Sequence, residues 1–406
     1  MKKKITAKQA AFLLPLFLLL AVFAIYPIVT SVVYSLFDYR TNDQTVAGLY
    51  TGSNFNAPLF YEDCDYVNWY LEDELLVLPE ADAAELQGIM DEVTALAAPY
   101  QDVKEVVEMS NADADAVLAQ VSDIRTRLTS IFERNPDVQF YNGLETQNIL
   151  FDEINGCVIG SNFQGIDAYK QLLHDTRFGK SLSSTLLFTV ISVFFELVLG
   201  MALALIMNKA IKGIGIVRTT ALIPWAIPTA VSALMWSYMY DGSSGIVAKL
   251  FADLGLIAAP EQMLLSAGGA MTAAILADVW KTTPYMALLL LAGLQIIDSG
   301  LYESAMVDGA TPVRTFFSVT LPLLKPSMLV ALLFRTLDAF RVYDLIAVLT
   351  GGAQGTETLS IYAYKLMIGQ SNYGYGSAVV LAMAICVAII AFIFVKVLGA
   401  ELINDD

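Results

Sequence analysis

The sequence predicts an all-α membrane protein: six transmembrane helices with a mainly helical, water-facing insertion between the first and second. Three observations predict it. Of 406 residues, 56% are hydrophobic and only 16% charged, whereas soluble domains carry about 25% charged residues. Six apolar runs, at about 11–36, 181–207, 219–240, 268–296, 327–349 and 375–398, each reach the roughly 20 residues that cross a 30 Å hydrocarbon core. The charge is also uneven. Residues 38–180 hold 26 acidic against 8 basic side chains, net -18, and the rest of the chain is close to neutral. This composition excludes a disordered chain, a disulfide-stapled secreted miniprotein and a soluble nucleic-acid binder.

In chain order, residues 1–37 read as an N-terminal anchor helix. Lys2, Lys3, Lys4 and Lys8 precede an apolar run longer than the 7–15 residues of a signal peptide's core. Residues 38–180 form the acidic insertion with a segment leading into span two. Within it Leu86, Ile89, Val93 and Leu96, then Val117, Val121, Ile124, Leu128 and Ile131, recur at helical spacing. Pro79, Pro99, Pro136 and Gly143 punctuate these helices. Residues 181–400 form the membrane core, with a connecting loop at about 298–326. With the N-terminus cytoplasmic, the basic residues on the inner side are Lys2, Lys3, Lys4, Lys8, Lys209, Lys212, Arg218, Arg314, Lys325 and Lys396, against Lys249 and Lys365 in the short outer loops. That asymmetry predicts a multi-pass membrane protein, both termini cytoplasmic and the insertion outside. Cys64 and Cys157 then lie in an oxidising compartment that permits a disulfide, although spacing alone leaves their pairing open.

Several chemical readings fall away. Phe178-Gly179-Lys180-Ser181 lacks the earlier glycine of a phosphate-binding loop, since His174 stands there. The chain has one histidine, which excludes a multi-histidine metal site, and no nucleophile elbow is present. No cofactor, metal or catalytic residue is expected.

The informative stretch is Glu303-Ser304-Ala305-Met306-Val307-Asp308-Gly309-Ala310, followed by Phe316, Phe317, Leu321-Pro322 and Pro326. It resembles the EAA loop of binding-protein-dependent ABC importer permeases: Glu-Ala-Ala, three residues, Gly-Ala and later Ile-x-Leu-Pro. Ser304 and Val319 are mild departures. Residues 163–188, Leu222-Ile223-Pro224 with Pro228, Asp278-Val279-Trp280-Lys281 with Pro284, and Asp338-Ala339-Phe340 running to Leu349-Thr350-Gly351-Gly352 are similar to the carbohydrate branch of that family. Ala353-Gln354 stands where a Gly-Pro is usual. The resemblance implies a type I ABC importer permease core, a carbohydrate-type solute, a second permease subunit (a different chain, by analogy with the larger permease of maltose-type importers), two cytoplasmic ABC ATPase subunits and an extracytoplasmic solute-binding protein. ATP hydrolysis then belongs to a partner, and this chain is not an enzyme. The predicted short helix at about 301–308, stopped by Gly309, would dock on the ATPase through Glu303, Ser304, Ala305, Asp308, Gly309 and Ala310, with Leu321 and Pro322 setting the start of span five.

Span five carries Arg335, Asp338, Arg341 and Asp344 at spacings of three. Four charges at a bilayer centre cost roughly 10–14 kcal/mol, more than the roughly 7 kcal/mol its apolar residues return. They must pair or face water, and with Glu196, Asp278, Lys281 and Tyr343 they read either as a translocation pathway or as a structural charge network. Pro224, Pro228 and Pro284 are expected to interrupt their spans. Aromatics at Trp225, Trp236, Trp280, Tyr285, Phe340 and Tyr343 could stack on a sugar ring. Two other classes compete: a membrane receptor or sensor with an extracytoplasmic ligand domain, and a stand-alone ion-coupled transporter. Neither requires an ATPase-docking helix. Membrane lipid is an expected partner; nucleic acid is not.

Overall fold

A computed structural model describes residues 7–209 and 213–399. Lys2, Lys3, Lys4 and Lys212 of the basic set lie outside the described residues. The chain divides into two compact units, Met1–Ala168 with Gln370–Tyr375, and Tyr169–Gly369 with Gly376–Asp406.

In the first unit, α1 (Ala7–Leu20) continues through a π-helical turn into α2 (Tyr26–Tyr34). The segment that follows contains α3 (Ala57–Glu74), α4 (Glu80–Ala97), α5 (Asn111–Arg134) and α6 (Gly143–Gly156). Its core is the apolar stripe of each helix: Phe60, Cys64, Val67 and Leu71 from α3, Leu86, Ile89 and Val93 from α4, Val121, Ile124, Leu128 and Ile131 from α5, and Leu150, Phe151 and Ile154 from α6. Three two-residue strands, β1 (Asn54–Phe55), β2 (Val107–Glu108) and β3 (Val158–Ile159), form an antiparallel sheet in the order β2-β1-β3. They are too short for any alternation to show in the sequence. The segment's ends are stitched together: Phe37 bridges Phe163, and Asn162 Nδ2 donates to the carbonyls of Asp38 and Gly48, 2.8 Å each. Pro79 precedes α4 as its N-cap, and Gly143, at φ +69°, begins α6. The carboxylate of Glu74, wholly buried, accepts the backbone N–H groups of Tyr141, Asn142 and Gly143 at 2.6–3.1 Å. It thereby fixes the turn that launches α6.

In the second unit, α7 (Asp167–His174, beginning in the first) leads into α8 (Thr176–Met207). Next come α9 (Ile214–Ala221), α10 (Ile223–Ala226), α11 (Thr229–Met239), α12 (Ile246–Asp253), α13 (Gln262–Leu265) and α14 (Ala267–Leu294). After a loop carrying α15 (Ser299–Val307) and α16 (Pro312–Thr315), α17 (Leu321–Phe340), α18 (Asp344–Leu349), α19 (Leu359–Tyr364) and α20 (Tyr373–Phe392) complete the fold. Among the described residues five helices are long and apolar enough to cross a membrane: Phe12–Tyr34, Thr176–Met207, Ala267–Leu294, Pro312–Phe340 and Tyr373–Lys396. The pair Ile214–Ala226 and Thr229–Met239, bent by 88°, makes a sixth if counted as one span. Small residues let the core helices close up. A Cβ on Gly200 would lie 2.8 Å from Met286 Cγ, and one on Gly293 would lie 2.7 Å from Leu324 Cδ1, so α14 packs directly on α8 and α17.

Three expectations change. Pro228 breaks its span because the chain turns extended at Ile227, but Pro284 lies within the continuous helix α14. Span five ends at Phe340 rather than 349. Cys64 and Cys157, which the sequence left open to pairing, are free buried thiols. Cys157 Sγ lies 3.8 Å from Asp63 Oδ2, which gives that carboxylate a weak thiol donor.

Burial, reinforced by Glu153 and Glu62, raises the Asp63 carboxyl from an ordinary 3.8 to about 6. The folded first unit therefore holds a proton that the unfolded chain releases, and its stability falls as pH rises from about 4 to about 6. Hydrogen exchange of α3 amides, corrected for intrinsic rates, should show protection declining across that window, and Asp63→Asn should abolish the decline.

Candidate functional site

Three helices bring charge into one place. Arg335, from α17, is 1% exposed and reaches four carboxylate contacts. Its Nε donates to Glu196 Oε2 at 2.5 Å, Nη2 to Glu196 Oε1 at 2.9 Å and to Asp278 Oδ2, and Nη1 to Asp338 Oδ2 at 2.8 Å. Glu196 comes from α8 and is wholly buried; Asp278 comes from α14 and is nearly so. The hydroxyl of Thr282 lies 2.8 Å from Glu196 Oε1 and 2.6 Å from the carbonyl of Asp278. The planar guanidinium suits this task, since its five donors can engage several carboxylates at fixed angles where a lysine would offer a single point of charge. Asp338 differs from the other acids: its side chain is 67% exposed, so it carries the buried cluster to the surface of the chain.

That exposed side is a cavity of about 320 Å³. Trp225 and Thr229 line it from either side of the broken helix, Asp278, Lys281 and Thr282 from α14, and Arg335 and Asp338 from α17; the irregular segment Arg341–Tyr343 and the start of α18 close it. Irregular backbone at bilayer depth is tolerated where it lines a cavity. Lys281 Nζ approaches the carbonyl of Trp225 at 3.4 Å and is itself largely buried.

Every residue of the charge pattern read from the sequence, except Glu196, lines this cavity, and Glu196 lies directly behind it. The pairing differs from the run of threes. Arg335 meets Asp338, but the helix ends before Asp344, and Arg341 Nε donates to the carbonyl of Leu337 at 3.0 Å. Of the aromatics, Trp225 and Tyr343 line the cavity, while Tyr285 stacks on Trp225 with centroids 5.5 Å apart. Trp236 and Trp280 pack on each other, and Phe340 is buried. Sequence reading missed Thr282 and Thr229. Thr282 stands four residues after Asp278 on one helical face, which could have signalled it.

The loop before α17 is built from two short capped helices. Asp298 caps α15, its Oδ1 accepting from Gly300 N at 2.9 Å. Gly309, at φ +75°, ends the helix: its N–H reaches the carbonyl of Met306 at 3.0 Å, and Ala310 N–H reaches that of Ala305 at 2.9 Å. This is a complete Schellman stop. Glu303, Ser304, Asp308 and Gly309 are exposed, with Ala305 and Ala310 half-buried, and Met306 and Val307 turn apolar side chains outward. Thr311 caps α16, and Pro322 sits in the first turn of α17.

Residues 196–403 match the family described as "binding-protein-dependent transport system inner membrane component". The trehalose transport system permease protein SugA of Mycobacterium tuberculosis is 44% identical over 238 residues, covering 59% of this chain and 76% of SugA. The trehalose/maltose transport system permease protein MalF of Thermococcus litoralis is also 44% identical, over 58% of this chain and 79% of its own. Among solved structures, a bacterial ABC transporter involved in the import of the acidic polysaccharide alginate superposes with a TM-score of 0.51 at 24% identity, over 57% of this chain and 82% of that one. That likeness speaks to the fold.

Removing Arg335 would leave two buried carboxylates without their cation, a change that costs about 3–5 kcal/mol. Arg335→Ala should sharply lower the thermal stability of the detergent-purified chain, and Arg335→Lys should restore only part of it. Asp338→Asn, at the exposed end, should shift the melting temperature little.

Proposed function

The chain belongs to the family of binding-protein-dependent transport system inner membrane components, and on that premise we propose that it forms one half of the pore through which an ABC importer passes a carbohydrate-type solute. It is a permease subunit and carries out no covalent chemistry; ATP hydrolysis lies on separate partner subunits. The solute class is supported by the trehalose and trehalose/maltose permeases among its relatives.

The observation that carries the mechanism is the cavity at the break in the core helices. Its wall alternates acids (Asp278, Asp338, Asp344) with cations (Lys281, Arg335, Arg341) and adds two aromatic rings, Trp225 and Tyr343. A polyol needs both donors and acceptors along its rim, and ring faces for its apolar C–H side. We assign the cavity to the translocation pathway and the buried Glu196–Arg335–Asp278 cluster to holding its floor. The wetted rim can meet solute without disturbing that cluster.

Drive enters at α15, the proposed docking helix for one of two cytoplasmic ABC ATPases. Its exposed Glu303, Met306 and Val307 offer a mixed polar and apolar face, and the Gly309 stop ends the helix beside it. ATPase closure would move α15, and α17 would carry the movement to Arg335 and the cavity floor. In this assembly the second permease supplies the facing half of the pore, and a solute-binding protein delivers solute from outside. The segment at 38–180 is placed on the extracytoplasmic face with both termini in the cytoplasm, a placement supported by the basic residues of the inner loops and by an acidic charge that anionic lipid would repel.

A detergent pull-down of the tagged chain should recover an ABC ATPase and a second permease. A Glu303→Lys, Gly309→Asp double variant should lose the ATPase and keep the permease. Reproducible purification of the wild-type chain without any ATPase would contradict the assignment.

A further inference from the structure

Two stretches singled out in the sequence, around Arg177 and around Gly351-Gly352, take no part in the site described above. The structure brings them together. At the start of α8, Arg177 makes a two-pronged ion pair with Glu357: Nε to Oε2 and Nη2 to Oε1, both 2.8 Å. Glu357 also accepts from Lys365 Nζ at 2.9 Å. The Arg177 guanidinium lies 4.7 Å from the centre of the Tyr362 ring, and the Tyr362 hydroxyl donates to Asp175 Oδ2 at 2.5 Å. Two further bonds run from the same face of α8. Ser184 Oγ donates to the carbonyl of Gly355, and Leu359 N–H donates to Thr185 Oγ1, each 2.9 Å. The residues fastened are the turn Gly355–Leu359.

That turn is tied in its own right to the cavity. Thr358 Oγ1 donates to the carbonyl of Val342 at 3.2 Å, and Val342 and its neighbours form the irregular wall between α17 and α18. Thr356 and Thr358 are completely buried. The chain between wall and turn runs through positive φ at Gly351, Gly352, Gln354 and Gly355. Such a backbone has little stiffness of its own, so side-chain bonds must position it.

We propose that Arg177 and Glu357 are positioning residues for the cavity. The pair, with Lys365, straps the Gly355–Leu359 turn to α8, and the turn holds the Val342 wall in place through Thr358. Helix α8 thus fixes the cavity twice, from the floor through Glu196 and from the wall through this strap. An ordinary ion pair would be a poor anchor because exposed single bridges are weak and adaptable. This one is two-pronged, shared with a second cation and capped by an aromatic ring, which gives it a fixed geometry. Its effect on solute rests on the pathway reading above; its effect on the wall does not.

The test separates the two. The whole transporter, with Cys386→Ser to remove the partly exposed thiol and Val342→Cys as reporter, is reconstituted and exposed to a water-soluble maleimide. Glu357→Gln should raise the labelling rate at position 342 about tenfold or more, Lys365→Gln should raise it less, and the charge-exchanged Arg177→Glu, Glu357→Arg protein should recover much of the protection. Trehalose uptake by the same proteins should show KM raised severalfold with the maximal rate within about twofold. Unchanged labelling in Glu357→Gln overturns the strap whatever happens to transport, as does a charge exchange that leaves labelling as high as in Glu357→Gln. Changed labelling in a transporter whose wild type takes up no carbohydrate would leave the strap standing and remove the pathway reading. Should Glu357→Gln fail to fold, the milder Lys365→Gln decides the same question by the same readout.

Discussion

The core of this protein is organised by one cation. Arg335 must satisfy Glu196 and Asp278 at once, in surroundings where neither acid can be left alone. Satisfying both fixes the separation and rotation of α8, α14 and α17, because each contributes one partner. Glycine at 200 and 293 allows the helices the required approach. Buried pairs of this kind add little net stability against an apolar alternative. What this one supplies is register: a shift of any helix by one turn would strand a charge.

The remaining features follow from that register. Helix α17 ends at Phe340, one turn beyond Arg335, and the chain then turns irregular, so the helix end opens as a cavity directly in front of the cluster. The broken α10–α11 pair supplies the opposite side. In the proposed cycle α17 also joins two functions. Its first residues continue the joint that begins at α15, and its last turn bears Arg335 and Asp338. Twenty helical residues span about 30 Å, so in that cycle a push at the α15 joint would reach the cavity floor along one helix.

Much of this is legible in the sequence. The apolar runs marked the spans, because twenty apolar residues in succession have few other uses. The helical spacing of Leu86 to Leu96 and Val117 to Ile131 marked α4 and α5, since each buries one stripe. Gly309 was readable as a helix stop because few residues other than glycine adopt its φ. The charges of span five were readable as a problem that had to be solved. Their solution was not, because Glu196 and Asp278 are 139 and 57 residues away from Arg335, and no local pattern reports such pairings. For the same reason the run of threes misled: Arg341 and Asp344 fit a helical ladder in spacing, but the helix had already ended. The helices α3 and α6 went unread because their acidic faces conceal a narrow apolar stripe, and the β strands because two residues carry no period.

In the proposed pathway the cavity in front of Arg335 lies on the solute's route. The most direct measurement is the reactivity of a cysteine at Thr229, on the cavity wall, towards a small water-soluble thiol reagent in the reconstituted transporter. Reactivity there should differ between the resting and ATP-bound states and should fall when a transportable carbohydrate is present. A cysteine at that position reacting at one rate, whatever nucleotide and sugar are present, would contradict the proposed pathway.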